Sequence, residues 1–172
     1  MLDSTIFKSG GQVRKGSKIA KQEKNDCVVR AIANAFEINY DDAHAWVKKE
    51  LGRKNKKGTK NTSTKLRKGF DGKVVTFTKT GQLDLFNGNE ISKKVIYIGS
   101  NPKKGGKLRN KKYTHKEVAF TIKTFLSNFT TGTYLVFVDQ HALVIKNGVL
   151  IDNLDKRFSG YRRVVESAFK IC

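Results

Sequence analysis

The clearest helical pattern in the sequence follows Asn25-Asp26. Apolar side chains recur there at the spacing that places them on one face of an α-helix, at Val28, Ile32, Ala35 and Phe36. Either Asn25 or Asp26 can cap the helix, because a short side-chain oxygen accepts hydrogen bonds from the free backbone N–H groups of a first turn. The pattern therefore predicts a helix from Cys27 to about Phe36.

Two further stretches predict helices. The residues after Asp41-Asp42 have helical apolar spacing as far as Leu51, and Gly52 suits the left-handed conformation that ends many helices. The sequence Thr114-His115-Lys116-Glu117 is typical of a capping box, in which side chains and backbone N–H groups of a first turn pair reciprocally. The helix that it opens would end at Thr130-Thr131-Gly132 and would have one apolar face, formed by Val118, Ile122, Phe125, Leu126 and Phe129.

The β-branched and aromatic residues of the remaining chain fall in short runs typical of strands. The clearest signal is the pair Asn147-Gly148 between two such runs, since these residues tolerate the positive φ angles of a type I′ hairpin turn. The last stretch, Tyr161–Cys172, fits either a strand or a short helix. The predicted strands are Val74–Phe77, Val95–Ile98, Tyr134–Val138, His141–Lys146 and Val149–Asp152.

A two-residue turn at Asn147-Gly148 would set the register of this hairpin, because it fixes which residues of the two strands lie opposite each other. Side chains alternate between the two faces of a strand, so this register places His141 and Asp152 on one face, diagonally opposed and within about 7–8 Å. Asn153 then points to the other face. A longer loop or a β-bulge would reverse that parity and bring Asn153 to His141 instead.

Length and element order indicate one domain. A chain of 172 residues has the size of a single domain with a buried core. Its pattern predicts an α+β fold, in which N-terminal helices pack against a twisted antiparallel sheet. In residues 1–24, Gly and Ser separate the Lys and Arg residues. This composition predicts a basic, poorly structured arm before a single domain at residues 25–172.

The charge of the chain suggests a class of partner. There are 35 Lys and Arg residues against 15 Asp and Glu residues, a net charge of +20, which favours contact with DNA, RNA or anionic surfaces. The alternative is that the many lysines only form a solvated surface and contact no such partner. We expect contacts to nucleic-acid phosphates from two acid-free loops, one with Arg53, Lys54, Lys56, Lys57 and Lys60, the other with Lys103, Lys104, Lys107, Arg109, Lys111 and Lys112.

Composition argues against several other classes of protein. No apolar run reaches the roughly 18 residues of a membrane span, and the first residues lack the apolar segment of a signal peptide. Two cysteines cannot form a disulfide framework, and no Cys and His residues have the spacing of a zinc site. We therefore expect a basic protein of intracellular type that has neither a metal nor another cofactor.

One set of residues could support nucleophilic catalysis. Cys27 would begin a helix, where free backbone N–H groups and the positive end of the dipole favour a thiolate. Of the three histidines only His141 opens a buried-looking strand, so it is the candidate base, and Asp152 could orient its ring. Gln22 offers an amide donor for an oxyanion. The alternative interpretations are a small core residue for Cys27, a polar strand end for Asp152 and an exposed arm residue for Gln22.

The order of these residues resembles that of the papain-like cysteine peptidases. Gln22, then Asp26-Cys27 at a helix start, and later a His141 strand followed by Asp152, are similar to a compact bacterial and phage branch. That branch includes the peptidase domains of bacteriocin-processing transporters. The stretches NDCVVRAIANAF and NYDDAHAWVKKELGRKNKKGT also look like parts of small phage-encoded proteins. The resemblance covers two blocks, at about residues 22–59 and 114–153.

The resemblance implies a papain-like fold and a cysteine hydrolase, either a peptidase with a protein or peptide substrate or a related acyl-transfer enzyme. Cys27 would then be the nucleophile, His141 the general base, Asp152 the orienting residue and Gln22 the oxyanion donor. It also implies a phage protein of the bacterial host cytoplasm or the virion, with virion proteins among its partners. The alternative function is a papain-like scaffold with a weak or silent triad, acting as a basic nucleic-acid-associated or virion structural protein.

Overall fold

The computed structural model describes residues 7–59, 69–70, 72–78, 90–100, 121–152 and 162–172. The elements in these ranges include four α-helices and one seven-stranded sheet, which confirms the mixed α+β class. The helices are α1 (Lys18–Gln22), α2 (Cys27–Phe36), α3 (Tyr40–Leu51) and α4 (Ile122–Asn128). The strands are β1 (Phe7–Ser9), β2 (Val74–Thr78), β3 (Glu90–Ser100), β4 (Thr133–Val138), β5 (His141–Lys146), β6 (Val149–Asp152) and β7 (Val165–Ile171). No helix among the described residues is long and apolar enough to cross a membrane.

The sheet has the strand order β1-β6-β5-β4-β7-β3-β2. Its neighbouring strands are antiparallel except for β1 and β6, which run parallel and place Ser9 opposite Asp152. The expectation of an antiparallel sheet therefore holds for every pair but the one at this edge. The last stretch of the chain, which fitted either a strand or a helix, forms the strand β7 between β4 and β3.

Residues 7–24 are folded, which corrects the expectation of a poorly structured arm. β1 pairs with β6, and a 3₁₀ turn at Gly10–Arg14 leads to α1. The serines that suggested flexibility are caps, since the hydroxyls of Ser9 and Ser17 accept hydrogen bonds from backbone N–H groups of the turns that they begin. The local composition is misleading here because the pairing with β6 joins segments that lie far apart in the sequence.

The first two predicted helices form close to their expected bounds. α2 runs from Cys27 to Phe36, as the apolar spacing predicts. α3 begins at Tyr40 because Asn39 caps it, accepting a hydrogen bond from the backbone N–H of Asp42 at 2.8 Å. It ends at Gly52, whose φ of 62° is the left-handed conformation expected there.

The third helix begins later than the sequence suggested. Thr121 has an extended backbone and forms a capping box with Thr124, so α4 begins at Ile122. The predicted capping box at Thr114–Glu117 lies outside the described residues. The hydrogen bonds of Thr121 therefore set the start of this helix.

The hairpin of β5 and β6 has the predicted register. Ile145 lies opposite Leu150, and Asn147 and Gly148 have φ angles of 49° and 73°, as a two-residue type I′ turn requires. The side-chain amide oxygen of Asn147 also accepts a hydrogen bond from the backbone N–H of Gly132 at 2.9 Å. The turn is therefore fixed both by its own conformation and by a contact to the start of the neighbouring hairpin.

Alternating residues of β4 and β5 belong to two hydrophobic clusters. One contains Leu135, Phe137, Ala142 and Val144 together with buried residues of α2 and α3, among them Ile32, Phe36 and Val47. The other contains Val136, Val138, Leu143 and Ile145 together with Ile122 and Phe125 of α4. Because both faces of these central strands are buried, β5 is a rigid element on which a side chain can be held.

Candidate active site

Cys27 is the first residue of α2, at the helix end where the backbone N–H groups have no acceptor within the helix. Its thiol is free and partly buried. The turn before it contains Asn25, which has a φ of 52°, and Asp26, which is the N-cap position. The thiol therefore sits where the positive end of the helix dipole favours a negative charge.

His141 is the first residue of β5, directly after the two-residue turn that follows β4. It is 2% exposed, and its Nε2 lies 2.6 Å from Oδ1 of Asp152, the last residue of β6. This contact confirms that His141 and Asp152 share a face of the hairpin. Asn153, the alternative orienting residue, lies outside the described residues.

The Cys27 side chain also acts on the His141 ring, since hydrogen bonding and charge from Cys27 are among the causes that raise the pKa of His141. Cys27 and His141 each begin an element, so the start of α2 and the start of β5 meet at this point. The structure thus brings three of the four expected catalytic residues together.

The pKa of His141 is raised from 6.5 to about 9. Burial is the largest influence and lowers the pKa, because the charged ring loses solvation. The hydrogen bonds to Asp152 and Cys27, together with the charges of these partners, more than offset burial and raise it. The imidazolium form of His141 is therefore favoured near neutral pH.

Asp26, directly before Cys27, belongs to a buried polar cluster. Its carboxylate is 2.8 Å from the Arg30 guanidinium and 3.6 Å from that of Arg14, and the Tyr40 hydroxyl donates to it at 2.8 Å. Burial and this hydrogen bond raise the pKa of Tyr40 above its usual range. The two arginines neutralise a carboxylate that would otherwise oppose a negative charge on the adjacent cysteine.

A second buried cluster surrounds Glu23. Its carboxylate lies 2.8 Å from the Arg53 guanidinium, 2.8 Å from the backbone N–H of Lys56 and 3.1 Å from Nε2 of His44. Burial alone would raise the pKa of Glu23, but the hydrogen bonds from these three groups lower it. Glu23 is therefore held as a carboxylate at the base of the turn before Cys27.

A small cleft lies beside Cys27 and Asp152. One face of α2 lines it with Arg30, Ala31 and Asn34, and the backbone of Gly10 lines the opposite side. A Cβ atom at Gly10 would lie 3.2 Å from the backbone carbonyl of Asp152. The absence of a side chain at Gly10 therefore lets the start of the 3₁₀ turn approach the strand that holds the orienting carboxylate.

Gln22 is not brought to this site by any contact among the described residues. It is the exposed last residue of α1 and does not line the cleft. Its predicted role as an oxyanion donor stays a prediction.

The expected nucleic-acid contacts divide into three groups. Arg53 is a correction, because its side chain is fully buried against Glu23 and cannot reach a phosphate. Lys54, Lys56 and Lys57 are exposed, as phosphate contact requires. The others lie outside the described residues, namely Lys60, Lys103, Lys104, Lys107, Arg109, Lys111 and Lys112.

The residues around the triad were not predicted from the sequence, although one signal points to two of them. Glu23 and Asp26 are the only acidic residues between positions 4 and 36, in a strongly basic stretch. Isolated acids in such a stretch are candidates for buried ion pairs. One partner, Arg30, follows Asp26 at the i, i+4 spacing of a helical ion pair. The other partners, Arg14 and Arg53, could not be identified from local patterns, because a longer stretch of chain separates them from the acids.

Comparisons of the chain with protein-family models, with curated proteins and with solved structures find no match in any of the three. Among the described residues, no group of three or more His, Cys, Asp or Glu side chains could hold a metal ion. The interpretation of the site therefore depends on its geometry and on the chemistry of its residues.

Proposed function

We propose that this protein is a papain-like cysteine hydrolase that acts on a protein or peptide substrate. The observation that supports it is the chain of contacts from the Cys27 thiol through the His141 ring to the Asp152 carboxylate. A nucleophile, a base within hydrogen-bond reach and a third group that orients the base are the parts that covalent acyl transfer needs. Cys27 and Asp152 also line a small open cleft.

In the proposed reaction, the Cys27 thiolate attacks the carbonyl carbon of the substrate, and the carbonyl π electrons move to its oxygen. When the tetrahedral intermediate collapses, the C–N bond breaks and the His141 imidazolium gives its proton to the leaving amine. His141 then takes a proton from a water molecule, whose oxygen attacks the thioester. Collapse of the second intermediate releases a carboxylic acid and returns the thiolate–imidazolium pair.

The negative oxygen of each tetrahedral intermediate needs hydrogen-bond donors. The first-turn N–H groups of α2 are suited to this role because they lack acceptors within the helix and lie at its positive end. Gln22 is the side-chain donor that the papain-like pattern implies. Asp152 fixes the ring orientation of His141 and stabilises its cation.

The resemblance to papain-like peptidases agrees with this assignment in the order of Cys27, His141 and Asp152 along the chain. It also supports a phage protein of the host cytoplasm or the virion, with virion proteins as candidate substrates or partners. The same residues would perform acyl transfer if an amine rather than water attacked the thioester. Peptide hydrolysis is the version that we test.

Intact-mass measurement after exposure to p-nitrophenyl acetate tests this assignment. We expect the wild type and Cys172→Ser to gain one acetyl group and then lose it by hydrolysis, whereas Cys27→Ala stays unmodified. His141→Ala should acylate far more slowly. Incubation with a peptide library should yield new peptide termini with Cys172→Ser but none with Cys27→Ala. Equal acylation of the wild type and Cys27→Ala would refute the proposal.

Exposed lysines support a second candidate function, the binding of nucleic acid by a scaffold whose triad is weak or silent. Lys54, Lys56 and Lys57 are exposed on a short segment that contains no acidic residue. Such a segment can neutralise phosphates without recognising bases. The dependence of the affinity for DNA on salt concentration tests this candidate.

A further inference from the structure

The Arg53 side chain connects the segment after α3 to the turn that precedes Cys27. Nη2 donates to the Glu23 carboxylate at 2.8 Å and to the backbone carbonyl of Lys24 at 3.1 Å. Nη1 donates to the backbone carbonyl of Asn25 at 3.2 Å and to the Thr59 hydroxyl at 3.3 Å. One buried guanidinium therefore binds three consecutive residues, and the last of these is two positions before Cys27.

The turn that Arg53 binds contains a residue in the left-handed conformation. Asn25 has a φ of 52°, which asparagine adopts more readily than most residues other than glycine. The same guanidinium donates to the carbonyls of both Lys24 and Asn25. A second contact keeps the segments together, since the backbone N–H of Lys56 donates to Glu23 at 2.8 Å.

We propose that Arg53 is a positioning residue, which holds the 23–25 turn so that the Cys27 thiol stays within hydrogen-bond reach of His141. This inference rests on the proposed function, because it assumes that the Cys27–His141 pair is the reactive pair. Loss of the guanidinium would remove its hydrogen bonds to these two backbone carbonyls and let the turn relax. The sulfur would then move relative to a ring that the rigid β5 strand and Asp152 hold in place.

Lysine cannot substitute fully at this position. A guanidinium presents a planar fork whose two terminal nitrogens reach partners on different sides, whereas an ammonium is a single compact centre on a flexible chain. The Arg53→Lys variant would keep the charge opposite Glu23, but its ammonium could not bind the Lys24 and Asn25 carbonyls and Thr59 together. The two substitutions Arg53→Met and Arg53→Lys therefore separate the loss of charge from the loss of geometry.

The test measures the alkylation rate of Cys27 by iodoacetamide against pH in a Cys172→Ser background. For folded Arg53→Met, we expect the rate near neutral pH to fall at least about tenfold, because the thiolate loses its imidazolium partner. Above about pH 10, where thiols ionise without help, the rate should stay close to that of the parent protein. Arg53→Lys should give an intermediate profile, and Lys48→Met, which alters an exposed lysine of α3, should match the parent.

Guanidinium chloride at a concentration too low to unfold the protein provides a second measurement. It should restore part of the neutral-pH rate in Arg53→Met and change nothing in Lys48→Met, because only the first variant has lost a guanidinium from a buried site. A purely structural role would lower the unfolding midpoint without changing the pH profile of the folded protein.

An unchanged pH profile in folded Arg53→Met overturns the positioning role and leaves the proposed function intact. If Arg53→Met does not fold, Arg53→Lys is tested in its place. A pH profile of Arg53→Lys identical to that of the parent would also overturn the positioning role and leave the proposed function intact. If the parent protein itself shows no enhanced reactivity at Cys27, the proposed function fails first and the positioning role falls with it. Each result therefore identifies which of the two claims is wrong.

Discussion

The imidazole of His141 and the carboxylate of Asp152 are 2.6 Å apart, although eleven positions separate them in the sequence. A two-residue turn at Asn147-Gly148 brings them together, because it fixes the register in which both side chains point to the same face. A register shifted by one residue would move Asp152 to the opposite face. The conformation of a turn with no catalytic group thus determines which carboxylate orients the candidate base.

Replacing Asp152 by Asn should lower the acylation rate by about four orders of magnitude while the protein stays folded. An amide of the same shape no longer stabilises the imidazolium and can favour the wrong ring tautomer. The rate of p-nitrophenolate release by Asp152→Asn, compared with that of the wild type, measures this effect. Asp139→Asn, which alters an exposed carboxylate in the turn before His141, is the control and should behave as the wild type.

Asn153→Ala provides a further comparison, because Asn153 is the residue that a different register would bring to His141. The predicted register makes this variant nearly silent in catalysis. A large loss of rate in Asn153→Ala, together with little loss in Asp152→Asn, would show that Asn153 is the orienting residue.

The ring of His141 should titrate with a pKa of about 9 in the wild type and nearer the ordinary 6.5 in Asp152→Asn. A raised pKa means that the folded state binds the proton more tightly than the unfolded state does. The resulting stabilisation is fully present below pH 6.5 and is lost as the pH rises through about 9. NMR titration of the His141 ring measures the pKa, and urea unfolding across this range measures the stability.

The stability of the wild type must be compared with that of Asp152→Asn, since other groups also titrate between pH 6.5 and 9. The loss of unfolding free energy between pH 6.5 and 9 should be smaller in Asp152→Asn than in the wild type. Identical pH dependence in both proteins would mean that the carboxylate does not stabilise the imidazolium.

Gly10→Ala should reduce the reactivity of the site, because the new Cβ atom would be 3.2 Å from the backbone carbonyl of Asp152. Backbone atoms cannot rotate away, so β6 must shift and take the orienting carboxylate with it. Gly11→Ala is a matched control, because its Cβ atom would meet only the Ser9 hydroxyl, at an ordinary 3.6 Å. We expect slower acylation in Gly10→Ala alone, and equal rates in the two variants would contradict this account of the close approach.

If the exposed lysines bind nucleic acid, the affinity for DNA should fall steeply as salt is added. Replacing Lys54, Lys56 and Lys57 by Ala should reduce the slope of log affinity against log salt by up to about 3, because each phosphate contact contributes about 0.9. Fluorescence anisotropy on several DNA sequences at different salt concentrations measures the slope. A triple variant with the same charge change at Lys8, Lys18 and Lys123 is the control, and equal slopes in both variants would argue against a local interface.

The features that could be predicted from the sequence depend on neighbouring residues. The bounds of α2 follow from its apolar spacing, and the register of β5 and β6 follows from a turn whose two residues both tolerate positive φ. The pairing of His141 with Asp152 was predictable for the same reason. The rule that a turn sets the register of its hairpin therefore predicts the contact between two of the three candidate catalytic residues, His141 and Asp152.

The features that escaped prediction depend on contacts between distant segments. β1 joins the sheet only because β6 offers an edge to it, so residues 7–24 resembled a flexible arm when considered alone. Arg53 was grouped with the exposed lysines because its neighbours are basic, and only the buried Glu23 distinguishes it from them. Burial of a charge is a tertiary property that local composition does not indicate.

The most direct test of the central claim compares the alkylation rates of the two cysteines in the wild-type protein. Iodoacetamide labelling near neutral pH, followed by peptide mass analysis, gives a separate rate for Cys27 and for the exposed Cys172. We predict that Cys27 reacts at least about tenfold faster despite its partial burial, because His141 favours its thiolate, and that this excess disappears in His141→Ala. Equal rates at both cysteines, or an excess that persists without His141, would contradict a Cys27–His141 catalytic pair.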